Sequence, residues 1–158
     1  MIKYKVKKDT REKEKHGWIF PVSDQCLGTE VETLKTGDYT LEGYEKILTI
    51  ERKGTSGEFA QNIVQSRFEK ELIRLEEFEQ PFIILEFELE DVVNFPQNSG
   101  IPEKICQKLR ITPQFYLKKI NELQLKYRTK FVFAGKRGRE FASSLFKRVV
   151  EKYGIIGS

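Results

Sequence analysis

The sequence predicts one α/β domain built on a mixed β-sheet with helices on both faces. Three observations support this prediction: a first third rich in hairpin-like strands, later segments apolar enough for strands buried on both faces, and amphipathic helices that alternate with those strands. The 158 residues, of which 39% are hydrophobic, are enough for one domain with a real hydrophobic core. We therefore expect a single domain over residues 1–158.

The N-terminal third has the pattern of short strands joined by turns. Residues 2–8 alternate apolar and basic side chains, as a half-buried strand does, whereas residues 10–27 contain glycine and proline and predict a long loop. A further strand is expected around residues 29–35. Residues 39–43 and 46–53 then predict a hairpin, because two strand-like segments flank a turn that contains glycine.

The remaining two thirds alternate helical and strand-like patterns. Residues 55–79 predict one long helix, since apolar residues recur near a 3.6-residue period and Thr55 and Glu58 match a capping box at its start. Near-continuous apolar runs predict buried strands, and a segment with proline and glycine predicts an irregular excursion. In chain order these elements are a strand at 82–87, the excursion at 91–102, a helix at 113–127, a strand at 130–134 and a helix at 138–153.

Composition limits the classes of protein that the chain can represent. A net charge of +4 mildly favours a polyanionic partner, although a solvated surface with a small lysine excess explains it equally well. No apolar run approaches the ~20 residues of a membrane span, so we expect no membrane association. Cys26 and Cys106 lack disulfide or zinc-site spacing, which favours a reducing, cytoplasmic location. His16 is the only histidine, which excludes metal sites made of several histidines.

Acidic residues and one lysine lie where predicted strands end or begin. Asp9 follows the first strand, Asp38 precedes the hairpin, and Glu51 and Lys53 are two apart, so they share one face of a strand. Converging carboxylates repel one another unless a cation neutralises them, and Mg²⁺ prefers such oxygen ligands. This layout is typical of a metal-dependent phosphodiesterase without histidine. Spacing alone leaves open a solvent-facing strand end with a simple charge pair.

Several ordered motifs resemble one known family. The chain reads Asp9-Thr-Arg-Glu after its first strand, then Gly37-Asp38, then Glu51-Arg-Lys, and a helix and an apolar strand follow to about Phe87. This stretch resembles the nuclease domain of the XPF/Mus81/Hef family, the ERCC4-type nucleases. The resemblance implies a restriction-endonuclease-like α/β/α sandwich with a central mixed β-sheet. It also implies cleavage of DNA that depends on Mg²⁺ or Mn²⁺.

The resemblance assigns roles to the residues that match the family's motifs. It implies that Asp9, Asp38 and Glu51 form the acidic metal site, that Lys53 completes it, and that Arg52 belongs to the catalytic signature. We expect Lys53 to orient the attacking water or to offset charge on the phosphate.

One acidic residue departs from the family's spacing. The acid that follows the lysine comes one position late here, as Glu58, yet Glu58 falls into register when counted back from Arg67. We infer one inserted residue in the loop 54–57. Glu58 also suits a helix cap, so we expect a supporting role for it and for Arg67. Arg11 and Glu12, from the first motif, are also expected to support the site, Arg11 by contacting DNA or by pairing with a carboxylate.

Other features admit two interpretations each. A basic group after the last strand could bind DNA phosphates or form a solvated loop; it consists of Lys136, Arg137 and Arg139. Trp18 could contact an unstacked base, but an anchor for the long loop is favoured. The C-terminal helix is apolar enough to pack on the sheet, and it could also form a dimer interface.

The sequence as a whole predicts a metal-dependent, structure-selective DNA endonuclease that cuts near flaps, forks or junctions. Two alternatives remain: a non-catalytic DNA-binding subunit of a nuclease complex, and a nuclease of the same fold with another substrate, such as a Holliday-junction resolvase or a restriction-type enzyme. No helix-hairpin-helix domain is recognisable in the 158 residues. Three alternatives for holding branched DNA therefore remain open: a homodimer, a partner subunit, or weak affinity.

Overall fold

The computed structural model describes residues 1–12 and 17–154, so His16 lies outside the described residues. Within them the chain forms six strands and six α-helices. The strands are β1 (Tyr4–Asp9), β2 (Cys26–Glu32), β3 (Tyr39–Leu41), β4 (Leu48–Lys53), β5 (Gln80–Leu85) and β6 (Lys130–Phe133). The helices are α1 (Ser56–Ile63), α2 (Ser66–Leu75), α3 (Leu89–Val93), α4 (Glu103–Leu109), α5 (Pro113–Lys126) and α6 (Gly138–Tyr153).

The six strands form one mixed sheet in the order β2-β1-β3-β4-β5-β6. β3 is antiparallel to both of its neighbours, and the other neighbouring pairs are parallel. The predicted hairpin is confirmed, because β3 and β4 pair with Tyr39 opposite Ile50. Since β1 and β4 each run opposite to β3, they run parallel to one another, and their carboxyl ends lie at the same edge of the sheet.

Each face of the sheet carries its own hydrophobic core, which confirms the predicted α/β/α architecture. On one face, Phe146 and Val150 of α6 pack against the sheet together with Trp18 and Phe20 of the first loop. On the other face, α1, α2 and α5 form a second core in which Phe59 is fully buried. The chain thus buries a strand such as β5 on both sides, as its continuous apolar sequence predicts.

The predicted helix over residues 55–79 is wrong as a single element. It divides into α1 and α2, because Gln65 takes an extended backbone conformation with φ −103° and ψ 135°. The break lets both short helices turn apolar residues, such as Phe59 and Phe68, into the same core, where the two rings meet edge to face at 5.6 Å. The apolar period alone does not reveal such a change of direction.

The predicted excursion at 91–102 is correct for residues 94–102, which form turns and irregular structure, but its first three residues are helical. Residues 89–93 form α3, whose first turn is closed by reciprocal hydrogen bonds between Glu88 and Asp91, and α4 follows immediately after the segment. Helices of five and seven residues are at most two turns long, so their apolar residues establish no clear period. The strand expected at 29–35 lies slightly earlier, as β2, at the edge of the sheet.

The long first loop is anchored by its aromatic residues, as predicted. The Trp18 ring stacks on Tyr39 with centroids 4.8 Å apart, and its backbone N–H donates to the Tyr39 hydroxyl at 2.6 Å. Ile19, between the buried Trp18 and Phe20, is exposed. Cys26 and Cys106 are buried free thiols. Of the helices in the described part of the chain, none has the length and apolar character to cross a bilayer.

Candidate active site

The candidate site lies at the sheet edge where β1 and β4 end and β3 begins. Asp9 is the last residue of β1, Asp38 immediately precedes β3, and the Glu51–Lys53 motif ends β4. The backbone N–H of Asp38 donates to the Ile50 carbonyl at 2.8 Å. Hairpin pairing therefore carries Asp38 to the level of Glu51, as the sequence predicts.

The carboxylate of Asp38 is fixed by the backbone of the neighbouring strand. Its Oδ2 accepts a hydrogen bond from the Arg52 backbone N–H at 2.8 Å. Burial, followed by the charge of Glu12, raises the pKa of Asp38 to about 7, and the bond from Arg52 offsets this only in part. Asp38 is thus a positioned carboxyl group whose negative charge lacks full compensation.

Glu51 and Lys53 share one side of β4, and the Lys53 Nζ lies 3.6 Å from the Glu51 Oε1. Burial raises the pKa of Glu51 well above its usual range, and the charges of Asp38 and Glu71 raise it further. For Lys53, burial acts to lower the pKa, but the surrounding carboxylates, Glu51 first among them, outweigh it and raise the value. Lys53 is therefore held as a cation among acidic groups.

Glu71 is an acidic residue of this cluster that the sequence motifs do not identify. It lies on α2 close enough to Glu51 and Lys53 to influence both, and its Oε1 is buried without a hydrogen-bond partner among the described residues. One sequence feature could have identified Glu71: it lies three residues after the buried Phe68, on the side of the helix that covers the sheet.

Arg52 points to the opposite side of β4 and forms a closed ion-pair network. Its Nε and Nη2 donate to the two carboxylate oxygens of Glu12 at 2.8 and 3.0 Å, and its Nη1 donates to Glu86 at 2.8 Å. Glu86, which the sequence motifs do not identify, also accepts a bond from the Trp18 indole N–H at 3.1 Å. Arg52 and Glu12 thus tie the first loop to β4 and to the residue after β5.

Asp9 is occupied by hydrogen bonds on both oxygens. Its Oδ2 accepts from the Arg11 Nε at 2.6 Å, and its Oδ1 accepts from the Leu34 N–H at 2.8 Å. Burial acts to raise the Asp9 pKa, but the bonds from Arg11 and Leu34 outweigh it, so the pKa is lowered. The metal-binding role of Asp9 stays a prediction, because in this structure its charge is already compensated.

Glu58 closes the loop between β4 and α1. Its backbone N–H donates to the Thr55 Oγ1 at 3.1 Å, which confirms the hydroxyl half of the predicted capping box. Its carboxylate accepts from the Gly54 N–H at 3.2 Å, not from Thr55 as the motif requires. In the same loop the Gly57 N–H donates to the Ser99 carbonyl at 2.8 Å. A Cβ on Gly57 would lie 2.6 Å from that oxygen, so this position needs glycine.

Two cavities meet at the carboxylate pair of Asp38 and Glu51. The larger is a cleft of about 910 Å³, and the smaller is a recess of about 250 Å³. Besides the pair, the cleft is lined by Arg11, Glu12, Arg52, Lys53, Gly54, Thr55, Glu58, Gln61, Glu86, Gly100, Ile101 and Lys136. The recess is lined, besides the pair, by Asp9, Arg11, Lys35, Thr36, Gly37, Glu71 and Arg74.

The structure separates the predicted basic residues from one another. Lys136 lines the cleft, whereas Arg137 forms an exposed ion pair with Glu140 at 3.2 Å and Arg139 donates to a loop carbonyl at 3.4 Å. Arg67 is exposed, donates to Gln65 at 2.8 Å and is not part of the cleft lining. Arg67 therefore does not join the group that includes Glu58.

The donor set fits a hard divalent cation that retains water molecules. Asp38 and Glu51 offer carboxylate oxygens at one point, and the orphaned oxygen of Glu71 marks uncompensated negative charge beside them. Among residues 1–12 and 17–154, no three or more His, Cys, Asp or Glu side chains are arranged to hold a metal ion. Mg²⁺ commonly binds through one or two carboxylates, water and substrate phosphates, so the pair could hold it with DNA present.

Comparisons with known proteins agree with this architecture. The family model described as the ERCC4 domain matches residues 8–146. The structure is similar to XPF from Aeropyrum pernix, with a TM-score of 0.61 and 22% identity over 92% of this chain and 60% of that chain. XPF from Aeropyrum pernix in complex with DNA matches with a TM-score of 0.61 and 22% identity over 95% of this chain and 66% of that chain. The present chain thus spans less than two thirds of the XPF chains' length. The search of curated proteins finds no match.

Proposed function

Because the chain belongs to the ERCC4 domain family, we propose that it is a divalent-metal-dependent DNA endonuclease. The observation that carries the proposal is the buried, incompletely compensated pair of Asp38 and Glu51, which lies beside the charged Lys53 at the edge of an open cleft. Burial with a strongly raised pKa in a cleft is typical of functional groups. Cleavage near flaps, forks or junctions is the substrate class that the family resemblance favours.

Asp38, Glu51 and Lys53 have two roles in the proposed reaction, metal binding and stabilisation of charge on the phosphate. Asp38 and Glu51 would hold Mg²⁺ or Mn²⁺, which when bound supplies Lewis acidity and lowers the pKa of coordinated water. The Arg52 backbone N–H and the Ile50 carbonyl keep Asp38 in position. Lys53 cannot act as a base while it is protonated, so its ammonium group stabilises the charge that develops on the phosphate.

The cleft suits an extended nucleic acid strand. Lys136 on its wall attracts a phosphate backbone, while the acidic residues at its floor would repel DNA in the absence of a divalent cation. The XPF structure determined as a complex with DNA supports DNA as the partner. A homodimer or partner subunit, which the sequence analysis expects for branched DNA, belongs to the proposal, as does a cytoplasmic, reducing location.

The test compares the parent protein with two matched variants on four labelled substrates. Flap, fork, four-way junction and linear duplex are incubated with Mg²⁺, Mn²⁺ or EDTA, with Asp38→Asn as the site variant. Asp24→Asn, an exposed loop residue outside the cleft, makes the same chemical change as a control. We expect cutting of a branched substrate by the parent and by Asp24→Asn, but neither by Asp38→Asn nor in EDTA.

Other outcomes favour the alternatives. Binding of branched DNA without cutting in either metal contradicts the enzyme proposal and favours a DNA-binding subunit. Cutting of the four-way junction alone favours a resolvase, and cutting of linear duplex favours a restriction-type enzyme. Equal cutting by Asp38→Asn and the parent would show that the carboxylate pair is not the active site.

A further inference from the structure

We propose that the smaller recess is a strand-binding subsite, in which Lys35 and Arg74 bind the DNA phosphates that adjoin the scissile one. This inference rests on the proposed function and extends it, because it assigns a path to the strand on both sides of the reacting phosphate. Neither residue belongs to the sequence motifs that identify the site.

The first observation is that the recess and the cleft share their innermost residues. Asp38 and Glu51 line both cavities, so the carboxylate pair lies between the cleft and the recess. A strand whose phosphate is held at this pair must continue in two directions. The cleft, with Lys136 in its lining, accommodates one direction, and the recess lies on the other side of the pair.

The second observation is that the recess has an acidic floor and a basic rim. Glu71 contributes to the floor, and its buried Oε1 has no hydrogen-bond partner among the described residues. Arg74 lies three residues later on the same side of α2, about 4.5 Å further along the helix axis. Lys35 approaches from the loop between β2 and β3, three residues before Asp38. The loop between β2 and β3 and the helix α2 thus each place one cation at the rim of the recess.

The third observation is that neither cation has a partner among residues 1–12 and 17–154. Lys35 and Arg74 are exposed, and neither forms an ion pair or a side-chain hydrogen bond with the residues that the structure describes. By contrast, exposed arginines elsewhere, such as Arg128 and Arg148, pair with neighbouring glutamates. Arg11 also lines the recess but is engaged by Asp9. Within the part of the chain that the structure describes, Lys35 and Arg74 are therefore the cations of the recess that remain available to a phosphate.

These charges also explain how a polyanion can approach the acidic pair. A strand that crosses Asp38 and Glu51 meets repulsion from the floor, and unpaired cations on its exit side offset that repulsion for the neighbouring phosphates. Because the rim is exposed, each contact is expected to release counterions, and the affinity for DNA should then depend on salt in proportion to the contacts made.

The test measures the salt dependence of binding by a site pair and by a matched pair of substitutions. The site variant carries Lys35→Gln and Arg74→Gln. The control carries Lys3→Gln and Lys46→Gln, which remove the same charge from exposed positions near the starts of β1 and β4, at the opposite sheet edge. Binding of a fluorescent single-stranded oligonucleotide is followed over a series of salt concentrations at a fixed concentration of Ca²⁺, so that a divalent cation offsets the acidic residues. Cleavage of the best substrate is measured with Mg²⁺.

We expect the site variant to lower the magnitude of the slope of log affinity against log salt by about 1.4, at about 0.7 for each phosphate contact on a single strand. The control should keep the slope of the parent, because its two substitutions remove no phosphate contact. In cleavage, the site variant should raise KM several-fold more than it lowers kcat, because its phosphate contacts exist before and during the reaction.

The two proposals fail in different ways. If the parent cuts DNA but the site and control variants give equal slopes, the strand-binding inference is wrong and the proposed function stands. If no DNA is cut but only the site variant flattens the slope, the proposed function is wrong and the subsite stands. If the parent binds no single strand at low salt, or if both variants flatten the slope equally, the recess is not a subsite.

Discussion

Two charged clusters lie on opposite sides of β4. Arg52 belongs to one of them, and its neighbours Glu51 and Lys53 belong to the other. Arg52 enters a cluster with Glu12 and Glu86 in which every guanidinium nitrogen donates to a carboxylate oxygen. Glu51 and Lys53 belong to the other, in which the carboxylates of Asp38, Glu51 and Glu71 outnumber the Lys53 ammonium group. The alternation of a strand thus separates a compensated cluster from an uncompensated one by a single residue.

This difference in charge compensation indicates that the Arg52 cluster stabilises the fold, whereas the Glu51 cluster fits the proposed metal site. Removal of one partner from a compensated buried network leaves an unpaired charge, so such a network resists change. In the uncompensated cluster, negative charge is already in excess and folding gains little from it. A cation supplied from solution would compensate it, which agrees with a site that works only with a bound metal.

The largest expected effect comes from the same substitution on either side of the strand. Glu51→Gln should lower the rate of DNA cleavage by at least ~10³-fold, equivalent to about 4 kcal/mol, and leave the protein at least as stable. Glu86→Gln should instead lower the free energy of unfolding by roughly 1 to 3 kcal/mol and keep most of the cleavage rate per folded molecule. Denaturant unfolding and single-turnover cleavage of both variants measure the contrast. A loss of stability in Glu51→Gln that matched Glu86→Gln would remove the distinction between the clusters.

The next effect concerns the centre of the compensated cluster. Arg52→Gln should lower the free energy of unfolding by about 3 kcal/mol, because it leaves the largely buried carboxylate of Glu12 and the partly buried one of Glu86 without their cation. Arg148→Gln is the control, since its exposed pair with Glu151 contributes less than about 1 kcal/mol. Urea denaturation followed by circular dichroism measures both. Equal losses in the two variants would mean that the network around Arg52 does not hold the fold.

The pH dependence of stability distinguishes the clusters without any substrate. In the folded protein the pKa of Asp38 is raised to about 7, above its unfolded value, so the folded state binds more protons than the unfolded state between pH 4 and 7. Stability from this group is therefore present below pH 4 and is lost as the pH rises to 7, by on the order of 3 kcal/mol. Unfolding of the metal-free protein at several pH values, with Asp38→Asn as reference, measures this loss.

The comparison between parent and variant subtracts groups such as Asp9, whose lowered pKa acts in the opposite direction at acidic pH. It measures Asp38 together with its effect on Glu51, whose pKa the Asp38 charge raises. Millimolar Mg²⁺ should reduce the loss at pH 7, because a bound cation favours the ionised carboxylates. A parent and variant with the same pH profile would contradict the raised pKa.

The smallest expected effect lies at the helix cap beside the uncompensated cluster. Thr55→Ala should cost about 1 kcal/mol of stability through loss of the bond from the Glu58 N–H. Thr112→Ala removes an equivalent cap of α5, with the same 3.1 Å distance to the Phe115 N–H, far along the chain from the site motifs. Both variants should lose similar stability, but only Thr55→Ala should alter the cleavage rate. An equal effect on cleavage would deny Glu58 a supporting role.

Local patterns were sufficient to predict the strands and the faces of the central motif. A period of two places Glu51 and Lys53 together and Arg52 opposite, and the hairpin brings Asp38 beside them, as the structure has it. The mixed sheet, both cysteine thiols and the anchoring of Trp18 follow from composition and pattern in the same way.

Contacts between distant parts of the chain could not be predicted. Arg52 pairs with Glu12 and Glu86, which are 40 and 34 residues away in the sequence, and no sequence motif predicts these pairings. Glu71 enters the cluster only because the chain breaks at Gln65 and redirects α2, whereas periodicity predicts one continuous helix. The occupied state of Asp9 also depends on a partner 25 residues away, in the loop after β2.

The hydrogen bond from the Gly57 N–H to the Ser99 carbonyl joins the start of α1 to a separate segment of the cleft lining. The wall formed by Gly100 and Ile101 rests on the start of α1 at this point, and none of the proposed metal-binding carboxylates belongs to it. Insertions or deletions in that wall would alter the width of the cleft, while the strands that position the proposed site residues would keep their register. If the proposed function holds, such changes would alter which shape of nucleic acid fits the cleft and leave the proposed catalytic residues in place.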